Sequence, residues 1–308
     1  MKWNASDIPD LKGKIVLVTG ANSGLGYQES LALARKGAMV IMAVRDRNKG
    51  NAACERIKAE IPDAELLVMK LDLANIESIK HVADTYLEEF ERLDILINNA
   101  GLMAVPLLRT TQGFEMQFGT NHLGHFALTA LLIDIINRTP SSRIVNVSSM
   151  AYRMGKINFD DLNWEKSYNR WTAYGQSKLA NLLFTIELDR RLKLAEKQTI
   201  VATAHPGYSA TNLQIRGAEI EGAKFKKSIM NLSNSLLGQS ACKGALPILY
   251  AATAPDVVSS RFYGPDGLLG MHGYPREVRM DPVRVNPVVA AKLWEVSEML
   301  TGINFGIK

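Results

Sequence analysis

A tyrosine and a lysine stand four residues apart in the stretch WTAYGQSKLANLLF at residues 171–184. Positions four apart lie on the same face of a helix, so Tyr174 and Lys178 are expected to point the same way. A phenol beside an ammonium can act as an acid–base pair, because the positive charge favours the phenolate and lowers the phenol pKa from about 10. An amphipathic helix with one core aromatic residue and one solvated lysine would have the same pattern, so other parts of the chain must decide.

A glycine-rich turn follows the first apolar run of the chain. Residues 18–26 read VTGANSGLG and lie between the strand-like KIVLVTG and a segment of helical period. Glycines let the backbone approach a pyrophosphate at a helix N-terminus and let that helix pack closely on the strand. This context predicts a dinucleotide-binding turn. Its predicted binding residues are Gly20, Asn22, Ser23, Gly24, Leu25 and Gly26.

The end of the second apolar run bears on the choice of cofactor. Val44 stands where an NAD site would carry an acidic residue for the ribose hydroxyls. Arg45 and Lys49 follow, and a guanidinium together with an ammonium can hold a phosphate. The pattern therefore predicts a 2′-phosphate site and NADP(H) as the cofactor. Asp46 is a mild counter-signal, which the start of the following helix would explain.

Short apolar runs alternate with segments of helical period along the chain. This alternation indicates an α/β fold, with a doubly wound parallel sheet covered by helices on both faces. No linker or change of composition divides the 308 residues, so we expect a single domain over 1–308. The predicted strands are 14–20, 38–44, 65–73, 93–101, 142–149 and 199–207, and the nucleotide-binding and catalytic halves are about 12–140 and about 141–308.

Small and polar residues follow the third and fourth predicted strands. In a parallel sheet the ligand crevice lies beyond the carboxyl ends of the strands. Asp72 could accept a hydrogen bond from an adenine amino group there, and Leu73 could offer its backbone. Asn99, Ala100 and Gly101 would let a cofactor lie close to the fourth strand end.

Four features follow one another along the chain: TGxxxGxG, NNAG, a serine at the end of the fifth strand, and YxxxK. Their order resembles that of the short-chain dehydrogenase/reductase family over roughly residues 12–213. TNHLGHF at 120–126 and the long spacer between Ser149 and Tyr174 resemble its retinol-dehydrogenase-like branch. Light-dependent protochlorophyllide reductases resemble the chain in the same features. The resemblance implies a Rossmann-type fold and a catalytic tetrad of Asn121, Ser149, Tyr174 and Lys178.

The resemblance also assigns roles to these four residues. Tyr174 would donate the proton, and Lys178 would tune the phenol and hold the nicotinamide ribose. The Ser149 hydroxyl would bond the substrate oxygen as charge develops there. Asn121 would hold a water that passes protons onward from Lys178.

The family's cofactor contacts match further positions of the chain. HPGYSAT at 205–211 resembles the nicotinamide-side turn through Pro206, Gly207 and Thr211. Arg45 and Lys49 match the 2′-phosphate residues of members that use NADP, and the hydride would come from the cofactor.

We therefore expect an NADP(H)-dependent oxidoreductase that interconverts a carbonyl and an alcohol on a rather apolar small-molecule substrate. Segments 208–237 and 264–281 break the alternation and are predicted to form a small substrate lid, since long excursions are usually functional loops. Two alternatives stay open: a catalytically inactive regulator that senses NADP(H), and a photoreductase of the protochlorophyllide type. The regulator would be expected to lose tetrad residues, and the chain keeps all four.

Composition argues against several other classes. The net charge of +5 is scattered rather than gathered in a stripe, which disfavours a nucleic-acid partner. The five histidines and two cysteines form no ligand set, so we expect no metal. No run of about 18 apolar residues occurs, so we expect no membrane span. With no apolar signal-peptide core at the N-terminus, a cytoplasmic location is expected. A homo-oligomer is left open.

Overall fold

The computed structural model describes residues 2–208 and 239–307. Within these ranges one sheet has the strand order β3-β2-β1-β4-β5-β6-β7-β8. Every neighbouring pair is parallel except β7 with β8, which is antiparallel. The strands are β1 (Ile15–Thr19), β2 (Met39–Val44), β3 (Leu66–Lys70), β4 (Ile95–Asn98), β5 (Arg143–Val147), β6 (Ile200–Ala204), β7 (Phe262–Pro265) and β8 (Pro275–Glu277).

Helices lie between the strands of the described ranges, and one follows the last strand. They are α1 (Gly24–Ala34), α2 (Arg47–Glu60), α3 (Ile76–Glu89), α4 (Gly124–Arg138), α5 (Arg170–Leu194), α6 (Ala241–Thr253) and α7 (Pro287–Thr301). A short helical turn (Met116–Phe118) and a π-helical turn (Gly119–Leu123) run into α4 without a break. Short 3-10 turns occupy Ala5–Asp7, Met150–Met154 and Leu268–Gly270.

Helices cover both faces of the sheet, which confirms the predicted doubly wound α/β fold. Alternate strand residues belong to two separate apolar clusters, as the two-residue period of a strand requires. On one face Val16 and Val18 pack with residues of α1, α2 and α6. On the other face Leu17 packs with residues of α3, α4, α5 and α7. Strands buried on both sides read as the continuous apolar runs from which they were predicted.

The helix that carries Tyr174 and Lys178 begins where the sequence places a capping residue. Asn169 has an extended backbone, and its side chain accepts hydrogen bonds from the backbone N–H groups of Trp171 and Thr172. These bonds satisfy donors that have no partner within the first turn of a helix. The start of α5, and with it the direction in which Tyr174 points, is thereby fixed.

The sheet extends beyond the six predicted strands. β7 pairs with β6 in the register Thr203↔Phe262, and β8 closes the edge by pairing antiparallel with β7. The segment 264–281, predicted to be a lid without regular structure, therefore contains a strand. Its Gly- and Pro-rich sequence has no two-residue period, and pairing with β7 supplies the order of β8. The other lid segment, 208–237, lies outside the described residues except for Tyr208, so the lid stays a prediction.

Residues 2–208 and 239–307 contain neither a candidate membrane span nor a candidate metal cluster. No helix there has both the length and the apolar character needed to cross a bilayer. No group of three or more histidine, cysteine or acidic side chains in the same ranges could hold a metal ion. The cytoplasmic location stays a prediction.

Candidate active site

A cavity of about 310 Å³ opens beyond the carboxyl ends of β1 to β4. This is the edge at which a parallel sheet of this type binds its ligands. Many residues of its lining were predicted to bind the cofactor. They are Gly20, Asn22, Ser23, Leu25, Arg45, Asp72, Leu73, Asn99, Ala100 and Gly101.

The glycine turn after β1 has space for no larger side chain at two of its positions. Gly20 adopts a φ of +71°, and a Cβ there would lie 3.1 Å from Ala100. A Cβ on Gly26 would lie 2.6 Å from the Gly20 carbonyl oxygen. These close approaches let the N-terminus of α1 meet the end of β4 at the cavity wall. A turn at a helix N-terminus, where the first backbone N–H groups have no partner within the helix, fits the pyrophosphate of a dinucleotide.

A second cavity of about 550 Å³ adjoins the first. The two share Asn22 and Arg45 in their linings. Around the second cavity lie the cations of Arg45, Arg47, Lys49 and Lys70, with a single acidic side chain, Asp46. The positive charge suits a phosphate group.

Arg47 and Lys70 were not predicted from the sequence to bind the cofactor. Lys70 is the last residue of β3 and pairs in register with Val44, the last residue of β2. The register of two parallel strands was the signal that could have found Lys70.

Asp46 accepts a hydrogen bond from the Lys49 backbone N–H at the start of α2, and its carboxylate lies 3.7 Å from Lys49 Nζ. The counter-signal of Asp46 is thus partly explained as a helix cap.

Tyr174 and Lys178 lie on the same buried face of α5, as the spacing predicts. Lys178 Nζ lies 5.8 Å from the centre of the Tyr174 ring. It donates a hydrogen bond of 3.1 Å to the Val147 carbonyl at the end of β5. The ammonium therefore stands over the ring and is bonded to the sheet.

Burial controls the pKa values of this pair. Desolvation raises the pKa of Tyr174 to about 12, and a hydrogen bond with the Ser149 hydroxyl opposes the rise only in part. Desolvation also lowers the pKa of Lys178 to about 8. Burial therefore sets the direction of this shift. The lowering that Lys178 and a bound cationic nicotinamide would bring together stays a prediction. Tyr174 is a protonated phenol at neutral pH.

Ser149 lies where β5 ends and the 3-10 turn Met150–Met154 begins. Its Oγ accepts a hydrogen bond of 3.2 Å from the Ala151 N–H and also interacts with Tyr174. The structure therefore brings the two hydroxyls together from either end of the long spacer that separates them in the sequence.

Asn121 lies in the π-helical turn before α4, and its side-chain amide is fully bonded. Nδ2 donates to the Leu102 carbonyl and to Ser177 Oγ, each at 2.9 Å, and Oδ1 accepts from the Leu102 N–H at 2.7 Å. A Cβ on Gly101 would lie 3.2 Å from Asn121 Oδ1 and 3.5 Å from Lys178 Nζ. Asn121 and Lys178 therefore meet at the cavity-lining Gly101.

Two further predicted contacts, Pro206 and Gly207, are not part of the lining of the first cavity. Pro206 and Gly207 follow β6, and a Cβ on Gly207 would overlap the carbonyl of Met271. Met271 also accepts a hydrogen bond of 2.8 Å from the Tyr208 N–H, so the segment 264–281 is bound to this turn. Thr211 lies outside the described residues.

One wall of the first cavity was not predicted from the sequence. It comes from the loop after β4 and the start of the helical turns that follow it. Its residues are Arg109, Thr110, Thr111, Met116 and Thr120. They have no motif of their own, and closeness to NNAG in the chain was the one signal available.

Comparison with known proteins agrees with this geometry. A family model described as short chain dehydrogenase matches residues 14–220. Retinol dehydrogenase 14 of Homo sapiens is 42% identical over 308 residues, covering 95% of this chain and 88% of its own length. Retinol dehydrogenase 13 of Homo sapiens is 43% identical over 296 residues, covering 95% and 86%.

Solved structures show the same fold. The crystal structure of an uncharacterized protein from Mycobacterium paratuberculosis superposes with a TM-score of 0.82 at 43% identity, covering 99% of both chains. A short chain dehydrogenase from Shigella flexneri complexed with NADP has a TM-score of 0.61 at 22% identity, covering 82% of this chain and 97% of its own. The latter likeness concerns the fold alone.

Proposed function

The chain belongs to the short chain dehydrogenase family, and we propose that it uses NADP(H) to interconvert a carbonyl and an alcohol on an apolar substrate. The family and the likeness to retinol dehydrogenases make it an oxidoreductase. The observation that carries the proposal is the meeting of Asn121 and Lys178 at Gly101, a residue of the cavity wall. An acid–base apparatus built there would face the reactive end of a dinucleotide.

The basic second cavity supports NADP(H) over NAD(H). Arg45 lines both cavities, so its guanidinium can reach a phosphate on a ribose held in the first. Val44 leaves no carboxylate at the end of β2 to bond a free ribose hydroxyl. Arg47, Lys49 and Lys70 add positive charge at the same place.

The protonation states support carbonyl reduction at neutral pH. The cofactor, when bound, supplies the hydride. Tyr174 retains its proton well above neutral pH, since its pKa is raised to about 12 by burial. It can therefore donate this proton to a carbonyl oxygen. Lys178, whose pKa is lowered to about 8, keeps most of its charge at neutral pH and stabilises negative charge on the phenol as the proton leaves.

The substrate class is proposed from two sources. The relatives are named as retinol dehydrogenases, which suggests a long apolar alcohol or aldehyde for this chain. Met271 lies at the Gly207 turn and is partly exposed, as is Met154 beyond Ser149. Methionine side chains adapt to irregular apolar ligands, although each of these can also pack its own loop. Met150 is half-buried, and Met230 lies outside the described residues.

The proposal is tested by following NADPH consumption, in the dark and under illumination, against a panel of apolar aldehydes, ketones and quinones that includes retinal. We expect turnover of at least one aldehyde or ketone, with NADPH preferred to NADH. Binding of NADPH without turnover of any panel member would contradict the proposal and favour the regulator. Turnover that needs light would favour the photoreductase.

A further inference from the structure

A buried histidine links the catalytic asparagine to the cofactor turn. His125, in the first turn of α4, places Nδ1 2.9 Å from the Asn121 backbone carbonyl oxygen. Its other ring nitrogen, Nε2, lies 2.9 Å from Thr19 Oγ1 at the end of β1. All three residues are fully buried. The ring therefore spans the space between the active-site turn and the glycine turn.

The partners determine which nitrogen carries the proton. A backbone carbonyl can only accept, so Nδ1 must donate to Asn121. The ring is neutral, because burial and the nearby charge of Lys178 lower the pKa of His125 to about 4. A neutral imidazole has one N–H, so Nε2 must accept a hydrogen bond from the Thr19 hydroxyl.

Thr19 completes the chain of bonds. Its oxygen accepts hydrogen bonds from the backbone N–H groups of Asn99 and Ala100, at 3.0 and 2.9 Å. Both lone pairs are then used, and the single hydroxyl proton is left for His125. The Ile97 carbonyl lies farther from the hydroxyl, at 3.4 Å. The hydrogen bonds that run from Asn121 through His125 and Thr19 to the backbone of Asn99 and Ala100 therefore each have a single possible direction.

We infer that His125 is a positioning residue, which holds the Asn121 carbonyl in register with the Asn99–Ala100 floor of the cofactor cavity. The inference rests on the proposed function. The Asn121 side chain and Lys178 meet at Gly101, the next residue of that floor, so a shift of Asn121 changes their placement relative to a bound cofactor. Small misplacements of this kind lower the rate of a chemical step more than they lower binding.

Three substitutions separate the two bonds of the ring. His125→Asn places an amide donor near the position of Nδ1 and gives up the bond to Thr19. His125→Gln places a carbonyl acceptor near the position of Nε2 and gives up the bond to Asn121. His125→Leu removes both bonds and keeps the apolar volume. In all three, Thr19 keeps its two backbone donors and can turn its hydroxyl to Ile97.

We expect His125→Leu and His125→Gln to lower kcat by roughly 10- to 100-fold, with little change in the Kd of NADPH. His125→Asn should keep most of the wild-type kcat. His122→Gln is the matched control, since His122 is also fully buried and bonds Ser297 through Nε2, at 2.9 Å. It should lower the melting temperature and leave kcat of the folded protein near that of the wild type. Equal kcat in all three His125 variants would overturn the inference.

A second measurement does not depend on turnover. The ring nitrogen chemical shifts of isotope-labelled wild type should show His125 as the Nδ1–H tautomer, with no titration between pH 5 and pH 9. An Nε2–H tautomer, or a charged ring at neutral pH, would overturn the inference. A wild type that shows the expected tautomer and reduces no carbonyl would instead contradict the proposed function.

Discussion

Gly155 and Gly175 pack backbone against backbone beside the candidate active site. A Cβ on Gly175 would lie 3.0 Å from Gly155 N and 3.0 Å from the Ala151 carbonyl oxygen, and a Cβ on Gly155 would overlap the Gly175 carbonyl. Gly175 follows Tyr174 on α5, and Gly155 ends the 3-10 turn that begins after Ser149. The contact therefore helps to set the distance between the Ser149 and Tyr174 hydroxyls.

Gly155→Ala should therefore separate Ser149 from Tyr174. We expect a loss of about 1–3 kcal/mol in the free energy of unfolding, as for other overpacked sites. We also expect a fall in kcat measured on the folded protein. Gly113→Ala is the control: its φ of +85° strains the backbone by roughly 1–2 kcal/mol, but no atom lies within 4 Å of the new Cβ. Equal kcat in the two variants would contradict the positioning role.

Tyr174→Phe should abolish turnover and leave NADPH binding nearly intact. The ring and its packing remain, and only the proton donor is lost, so kcat should fall by roughly 10²- to 10⁴-fold. Tyr86→Phe is the control, because its hydroxyl is bonded to the Arg92 carbonyl at 2.7 Å, away from the site. Steady-state kinetics and NADPH titration check both variants. A Tyr174→Phe variant that keeps most of its turnover would show that another group donates the proton.

Arg45→Ala should weaken NADPH binding selectively. A hydrogen bond between charged groups contributes about 1.5–3 kcal/mol, so the Kd of NADPH should rise by roughly one to two decades. The Kd of NADH should change little. Lys80→Ala, which removes an exposed cation paired with Glu77 on α3, controls for the loss of net charge. Titration of both cofactors measures the effect, and equal losses for NADPH and NADH would contradict a phosphate site.

Glu29 offers a pH-dependence prediction away from the site. It is fully buried on α1, its carboxyl oxygens have no hydrogen-bond partner among the described residues, and burial raises its pKa to about 8. The folded state then holds a proton that the unfolded state loses above pH 4.5, so stability falls as pH rises from about 4.5 to about 8. Glu29→Gln should match the wild type at pH 5. At pH 8 it should be more stable by on the order of 4 kcal/mol. Denaturant unfolding curves of the two proteins should nearly superimpose at pH 5 and should have different midpoints at pH 8. Curves that superimpose at both pH values would contradict the raised pKa.

The sequence was sufficient for those features that follow from a local period. The six buried parallel strands were predictable because each is a continuous apolar run, and the shared face of Tyr174 and Lys178 follows from helical spacing. β7 was not predictable, since FYGP has no pattern and its order comes from pairing with β6.

Features set by distant contacts were beyond sequence reasoning. The bond between Thr19 and His125 joins positions 106 apart in the chain. The pKa of Tyr174 is raised by burial, and Lys178 Nζ bonds the Val147 carbonyl at the end of β5; both depend on the packing of α5 against the sheet, which no motif states. The motif identified the residues, but the direction of their pKa shifts follows only from their burial in the fold.

The buried ammonium of Lys178, to which we assign a role in the proposed reaction, should lower the stability of the fold. Its pKa is lowered from 10.5 to about 8, so below pH 8 the folded state carries the full penalty of the buried charge, and stability rises between pH 8 and pH 10.5. Lys178→Met removes the charge and keeps the volume, and the Val147 carbonyl still accepts a hydrogen bond of 3.1 Å from Asn181 Nδ2. At pH 7 this variant should be more stable than the wild type by about 3 kcal/mol and should have lost turnover. Denaturant unfolding and kinetics on the same samples check both statements. A less stable variant would mean that the charge is compensated in the fold, and an active one would mean that Lys178 does not assist Tyr174.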